Sequence, residues 1–121
     1  MSPKDKRQLA REHLDDAEAA ASENRLKDAV NALFYAAEAA VVALAERSGI
    51  DTRRQHQLKA DAASELHERG ELARDYGPLL RTLNQARKDI WYEGEDPELG
   101  DDLDELVADV AELVAAAQEE R

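Results

Sequence analysis

The chain has no cysteine. That excludes a disulfide framework, a thiolate nucleophile and a zinc–thiolate centre, and it fits a reducing, cytoplasmic setting. Long apolar runs are also missing. The most apolar stretch, residues 36–45, contains Glu38 and falls far short of the roughly 20 residues that cross a bilayer, so no membrane span is expected. The first residues, Met-Ser-Pro-Lys-Asp-Lys-Arg, lead into an amphipathic pattern and not into the apolar core of a secretion signal. Only five glycines are present, and none lies in a phosphate-cradling loop. No serine sits in a nucleophile elbow, and neither His-x-x-x-His nor Glu-x-x-His occurs, so neither a metal site nor a cofactor is expected. Di-iron carboxylate chemistry in a helical bundle needs Glu-x-x-His on two helices, and Glu65-Leu66-His67 has the wrong spacing.

Positive charge is short as well: 16 Lys and Arg face 28 Asp and Glu, a formal net charge of -12. A broad basic surface for nucleic acid is therefore disfavoured, and no DNA partner is expected. The acids are unevenly placed. Residues 93–121 hold 12 of the 28 acids and, at Arg121, one base, a local net of -11, which leaves residues 1–92 at only -1. The C-terminal helix thus reads as a solvated acidic face or as a contact for a basic partner.

What is present is helical periodicity over nearly the whole chain, which at 121 residues suits one domain spanning residues 1–121. Ser2-Pro3 opens a first helix with Leu9, His13, Leu14, Ala17 and Ala21 on one face. Asn24 is placed to cap a second helix carrying Leu26, Val30, Leu33, Ala37, Val41 and Leu44 and closed by Gly49. From Val30 to Ala45 small and apolar residues surround this helix, so it is predicted to be the central one. Thr52-Arg53-Arg54-Gln55 has capping-box form and opens a third helix through Leu58, Ala62 and Leu66, ended by Gly70. Tyr76-Gly77-Pro78 starts a fourth. Residues 93–100 read as a loop, and Asp101-Asp102 begin a fifth with Leu103, Leu106, Val110, Leu113 and Val114 as its stripe. The predicted fold is all-α, an up-and-down bundle of four main helices with helix three as a short, peripheral fifth.

Within that frame the candidate site centres on Arg87, at the margin of the stripe Leu80, Leu83, Ala86, Ile90 and Trp91. A permanently charged guanidinium beside the core needs a partner. Asn31, Tyr35 and Glu38 form a polar line on one face of helix two. If that face meets helix four, Glu38 or Tyr35 satisfies Arg87 as a structural ion pair or hydrogen bond; alternatively Arg87, beside Tyr92, binds a phosphate bidentately. His56 stands with Arg53 and Arg54 in a small cationic patch able to hold an anion, whereas His13 and His67 read as structural residues.

The run Leu33-Phe34-Tyr35-Ala36-Ala37-Glu38-Ala39-Ala40, followed by Ala43-Leu44, Gly49, His56, Leu79-Leu80 and Arg87-Lys88-Asp89-Ile90-Trp91-Tyr92, resembles the HEPN domain (higher eukaryotes and prokaryotes nucleotide-binding). The likeness is nearest to small stand-alone prokaryotic HEPN proteins encoded beside minimal nucleotidyltransferases, and it covers roughly residues 8 to 117. It implies a helical bundle that pairs as a homodimer, with the Arg-bearing ends of helix four facing each other. Active members are metal-independent RNases, often toxins, that use Arg and a His separated from it by four to six intervening residues. Here Tyr92, Glu93 and Gly94 occupy those positions, and a tyrosine, with its pKa near 10, is a poor acid/base near neutral pH. The resemblance therefore implies a non-catalytic or weakly active protein that dimerises and binds a nucleotidyltransferase partner, a nucleotide or RNA in a toxin–antitoxin-like pair. Its rivals are an RNase using Arg87 with a non-standard acid/base such as His56, and a helical interaction module that docks a basic partner on residues 101–120.

Overall fold

In the computed structural model the described residues are 3–52, 59–90 and 103–119, and among them every regular element is a helix: α1 Pro3–Ser22, α2 Leu26–Arg47, α3 Ala60–Glu68, α4 Gly77–Lys88 and α5 Leu103–Gln118. Helix α2 runs through the centre and packs against each of the other four. Its apolar and small residues from Ala29 to Ala45 are buried almost without interruption. Alanine at so many of these positions lets neighbouring backbones approach closely, which is how one helix can be enclosed by four.

By length and composition α2 is long and apolar enough to cross a membrane, contrary to the expectation that no segment approaches a span. Counting only the run 36–45 missed how far alanine extends the apolar stretch; in the fold most of that apolarity is spent against the other helices. The buried face of α1 is Ala10, Leu14, Ala17 and Ala20, with Leu9 and His13 at its margin. It is thus turned by about one residue from the stripe that Leu9, His13 and Ala21 suggested, because small alanines fit against α2 where larger residues do not.

The helix ends follow from backbone chemistry. Gly49 and Gly70 take positive φ, and the chain closes α2 and α3 with Ile50 N–H donating to Ala45 O and Glu71 N–H to Leu66 O. Asn24 was expected to cap α2 and instead does the corresponding work for α1: its φ is 58°, and Arg25 N–H donates to Ala20 O. Asparagine tolerates this left-handed conformation better than most residues. Helix α2 then starts at Leu26 without a side-chain cap.

Helix α4 begins on a built junction. Asp75 Oδ1 accepts from Gly77 N–H at 2.8 Å and from Ser64 Oγ–H at 2.7 Å, so one carboxylate caps α4 and ties it to α3. These two bonds, the Ser64 one foremost, hold the Asp75 carboxyl below the usual carboxylate range. Gly77 is required by space, since a Cβ there would lie 2.5 Å from Ser64 Oγ and 3.1 Å from Ala60 O. The buried Tyr76 donates its hydroxyl to Glu112 Oε1 at 3.0 Å, joining the start of α4 to α5, and Arg74 lies 4.6 Å over the Tyr76 ring while pairing with Asp109 at 3.2 Å.

Helix α5 packs Val110, Leu113, Val114 and Ala117 into the core, with Leu103 and Leu106 partly covered. Its far end is held by Arg47, which donates to Glu119 O at 2.7 Å, and by Gln118, which donates to Arg7 O at 2.9 Å. The expected capping box at Thr52 to Gln55, the loop 93–100 and the helix-opening Asp101-Asp102 fall wholly or largely outside the described residues.

Candidate functional site

Arg87 lies in the last turn of α4, where Asp89 and Ile90 extend the helix in a wider π turn. The apolar face of α4, Leu79, Leu80, Leu83 and Ala86, is buried, and this fixes Arg87 at the edge of the core, half-buried. Its guanidinium carbon stands 4.8 Å over the ring of Phe34 on α2. One terminal nitrogen donates to Asn84 Oδ1 at 3.0 Å, from one turn earlier on α4. The Nε–H is shielded from solvent and has no acceptor.

Neither Glu38 nor Tyr35 satisfies this charge. Among the described residues no carboxylate pairs with Arg87. The reason lies in the rotation of α2: burial favours the wholly apolar Phe34 facing α4, which turns Tyr35 outward to 39% exposure. Phe34 and Asn84 are the contacts that sequence reasoning missed. The signals were present: Asn84 precedes Arg87 at helical i,i+3 spacing, and Phe34 lies in the aromatic pair beside Tyr35. A cation on an aromatic face with a neutral amide keeps its full charge for an anion.

The polar line of α2 divides between two grooves. Asn31 and Tyr35 face a groove of about 580 Å³ between α1 and α2, also lined by His13, Asp16, Arg25 and Asp28. The Tyr35 ring lies 5.4 Å from Phe34 and 5.8 Å from His13, so Arg87, Phe34, Tyr35 and His13 form a continuous row. Asn31 Oδ1 is buried and accepts no hydrogen bond. Glu38 instead lines a groove of about 660 Å³ with Lys6, Val42, Glu46, Thr52 and Lys59. There Lys59 donates to Thr52 O at 2.8 Å, and Glu46 Oε2 is buried without a partner.

Tyr92 and His56, the remaining candidates, lie outside the described residues. His67 contacts Leu72 O through Nδ1 at 3.0 Å, bracing the turn after α3. Among the described residues no three His, Asp or Glu side chains come together as metal ligands. The acids of α5 are partly engaged within the fold, Asp109 by Arg74 and Glu112 by Tyr76.

The chain matches a family model described as HEPN domain over residues 4–120. No curated protein and no solved structure matches it.

Proposed function

This chain belongs to the HEPN domain family, whose known roles are RNA cleavage and nucleotide binding, and on that premise we propose that it is a binding member with little or no RNase activity. The reading assigns it a homodimer that engages a nucleotide or RNA at Arg87 and works with a nucleotidyltransferase partner in a toxin–antitoxin-like pair. One observation carries it. Arg87 is held half-buried on Phe34 and Asn84, with no carboxylate against it among the described residues and one donor unused. A purely structural arginine at a core edge is ordinarily paired with an acid, and a guanidinium without one offers planar donors to phosphate.

Catalysis is disfavoured on separate ground. Phosphodiester cleavage without a metal requires proton transfer at the attacking and leaving oxygens, which a group titrating near neutral pH performs best. The positions separated from Arg87 by four to six intervening residues hold Tyr92, Glu93 and Gly94, none of them histidine. The acidic helix as a docking surface is weakened by Arg74 and Tyr76, which already engage its middle.

Nucleotide and RNA binding by the wild type and Arg87→Ala, with light scattering in parallel, tests the proposal. The expected result is a dimer at tens of micromolar for both and binding lost only in the variant. A monomeric wild type, or nucleotide and RNA binding unchanged in the variant, would overturn it.

A further inference from the structure

The groove between α1 and α2 has a chemistry of its own. It joins the Arg87 site through Phe34: steps of 4.8 Å and 5.4 Å place the guanidinium within about 10 Å of the Tyr35 ring. That separation is within the reach of one nucleotide from phosphate to base. Tyr35 is the exposed aromatic of the row, flanked by His13, and aromatic side chains beside a cation are the usual means of holding an unpaired base. The polar lining of the groove is biased toward acceptors. Asp28 is engaged by Arg25 at 2.9 Å, and Arg25 also holds Glu23 at 3.1 Å. Asp16, by contrast, has no ion pair or hydrogen bond among the described residues, and Asn31 Oδ1 is buried without a donor. An ionised carboxylate only accepts, and a buried amide oxygen remains unfavourable until a donor reaches it.

Resting on the nucleotide reading of Arg87, we propose that this groove is a base-selective subsite for guanine, stacked on Tyr35 with its N1–H and N2–H on the Asp16 carboxylate. Guanine is the base whose Watson–Crick edge presents two adjacent donors to one carboxylate. Its second N2–H is reached by Asn31 Oδ1 only when that side chain turns out of its buried position. Adenine brings an acceptor, N1, against Asp16, and uracil and cytosine each offer a single donor, so the same lining discriminates against all three. The ligand chemistry is common to a free guanosine nucleotide and a guanosine within single-stranded RNA, whose bases are open on this edge.

The test is a titration followed by amide chemical shifts, which register millimolar binding, using GMP, AMP, CMP and UMP and RNA octamers with or without one guanosine. The wild type should favour GMP, or the guanosine-containing octamer, by about tenfold or more, as expected for a bidentate contact. A preference seen only in the octamers identifies RNA as the source; one shared with GMP identifies the nucleotide. Asp16→Asn, at an exposed position, should reduce the preference to within about twofold. Tyr35→Ala should weaken all four bases by about tenfold, and Arg87→Ala should weaken all four alike while keeping their ratio. Arg87-dependent binding without base preference, or a preference that survives Asp16→Asn, overturns the guanine subsite and leaves the Arg87 reading standing. Absence of any shift with every probe overturns both.

Discussion

Arg87 stands 4.8 Å over the ring of Phe34, so the charge at the edge of the core is met by an aromatic face and not by an acid. A cation–π contact at a partly desolvated site contributes roughly 1 kcal/mol, less than truncating the buried ring would cost. Phe34→Leu should therefore keep the fold while loosening Arg87, and Phe34→Ala should destabilise by about 3–5 kcal/mol in urea unfolding. Arg87→Ala, which breaks no ion pair among the described residues, should cost no more than about 1 kcal/mol. A loss as large as that of Phe34→Ala would mark Arg87 as a structural residue.

Asp75 joins α3 to α4 through two hydrogen bonds that one of its carboxylate oxygens accepts. Asp75→Ala should cost about 1–2 kcal/mol, in the range of lost helix caps. Because the folded pKa is lowered, this contribution is fully present above the unfolded value near 3.9 and lost as pH falls through the folded pKa below it. Acid unfolding of Asp75→Ala should accordingly be less steep below pH 4 than that of the wild type. Equal acid dependence of the two would contradict the assignment.

Gly77 has no room for a side chain. Gly77→Ala should destabilise by about 1–3 kcal/mol, since the added carbon meets both Ser64 Oγ and the backbone oxygen of Ala60. Pairing it with Ser64→Gly should recover only part of that, because Ala60 O stays in place, and full recovery in thermal unfolding would locate the clash at Ser64 alone.

Tyr76 couples stability to alkaline pH. Burial first, and then its hydrogen bond to Glu112, push the hydroxyl up to about 12. The folded state holds the proton through the range in which an unfolded tyrosine, near 10, releases it. Stability is therefore complete below about pH 10 and falls as pH rises toward 12. Tyr76→Phe should cost about 1 kcal/mol at neutral pH and flatten that alkaline decline, as read by denaturant midpoints at stepped pH.

Much of the fold was legible because helix periodicity and glycine stops act locally. Gly49 and Gly70 end their helices as their backbone freedom dictates, and the alanine-rich α2 lies at the centre as its all-round apolarity required. Asn24 was misplaced because the same residue type serves both sides of a short turn, and only the backbone φ it adopts separates the two roles. The surroundings of Arg87 were less legible. Sequence spacing put Asn31, Tyr35 and Glu38 on one face, but the choice between Phe34 and Tyr35 as the residue turned toward α4 is made by the packing of α2 against several helices at once. That rotation also sends Glu38 to a different groove from Asn31 and Tyr35. The junction of Asp75, Ser64 and Gly77 joins residues on two helices, beyond the reach of periodicity.

The most direct measurement is a mobility-shift assay of a labelled structured RNA in EDTA, with wild-type protein beside Arg87→Ala. The account predicts a retarded complex containing intact RNA for the wild type and free, intact RNA for the variant. Metal-independent fragments produced by the wild type and absent with Arg87→Ala would contradict it, showing Arg87 at work in a cleaving site; an unaltered complex with the variant would contradict it by removing Arg87 from the site altogether.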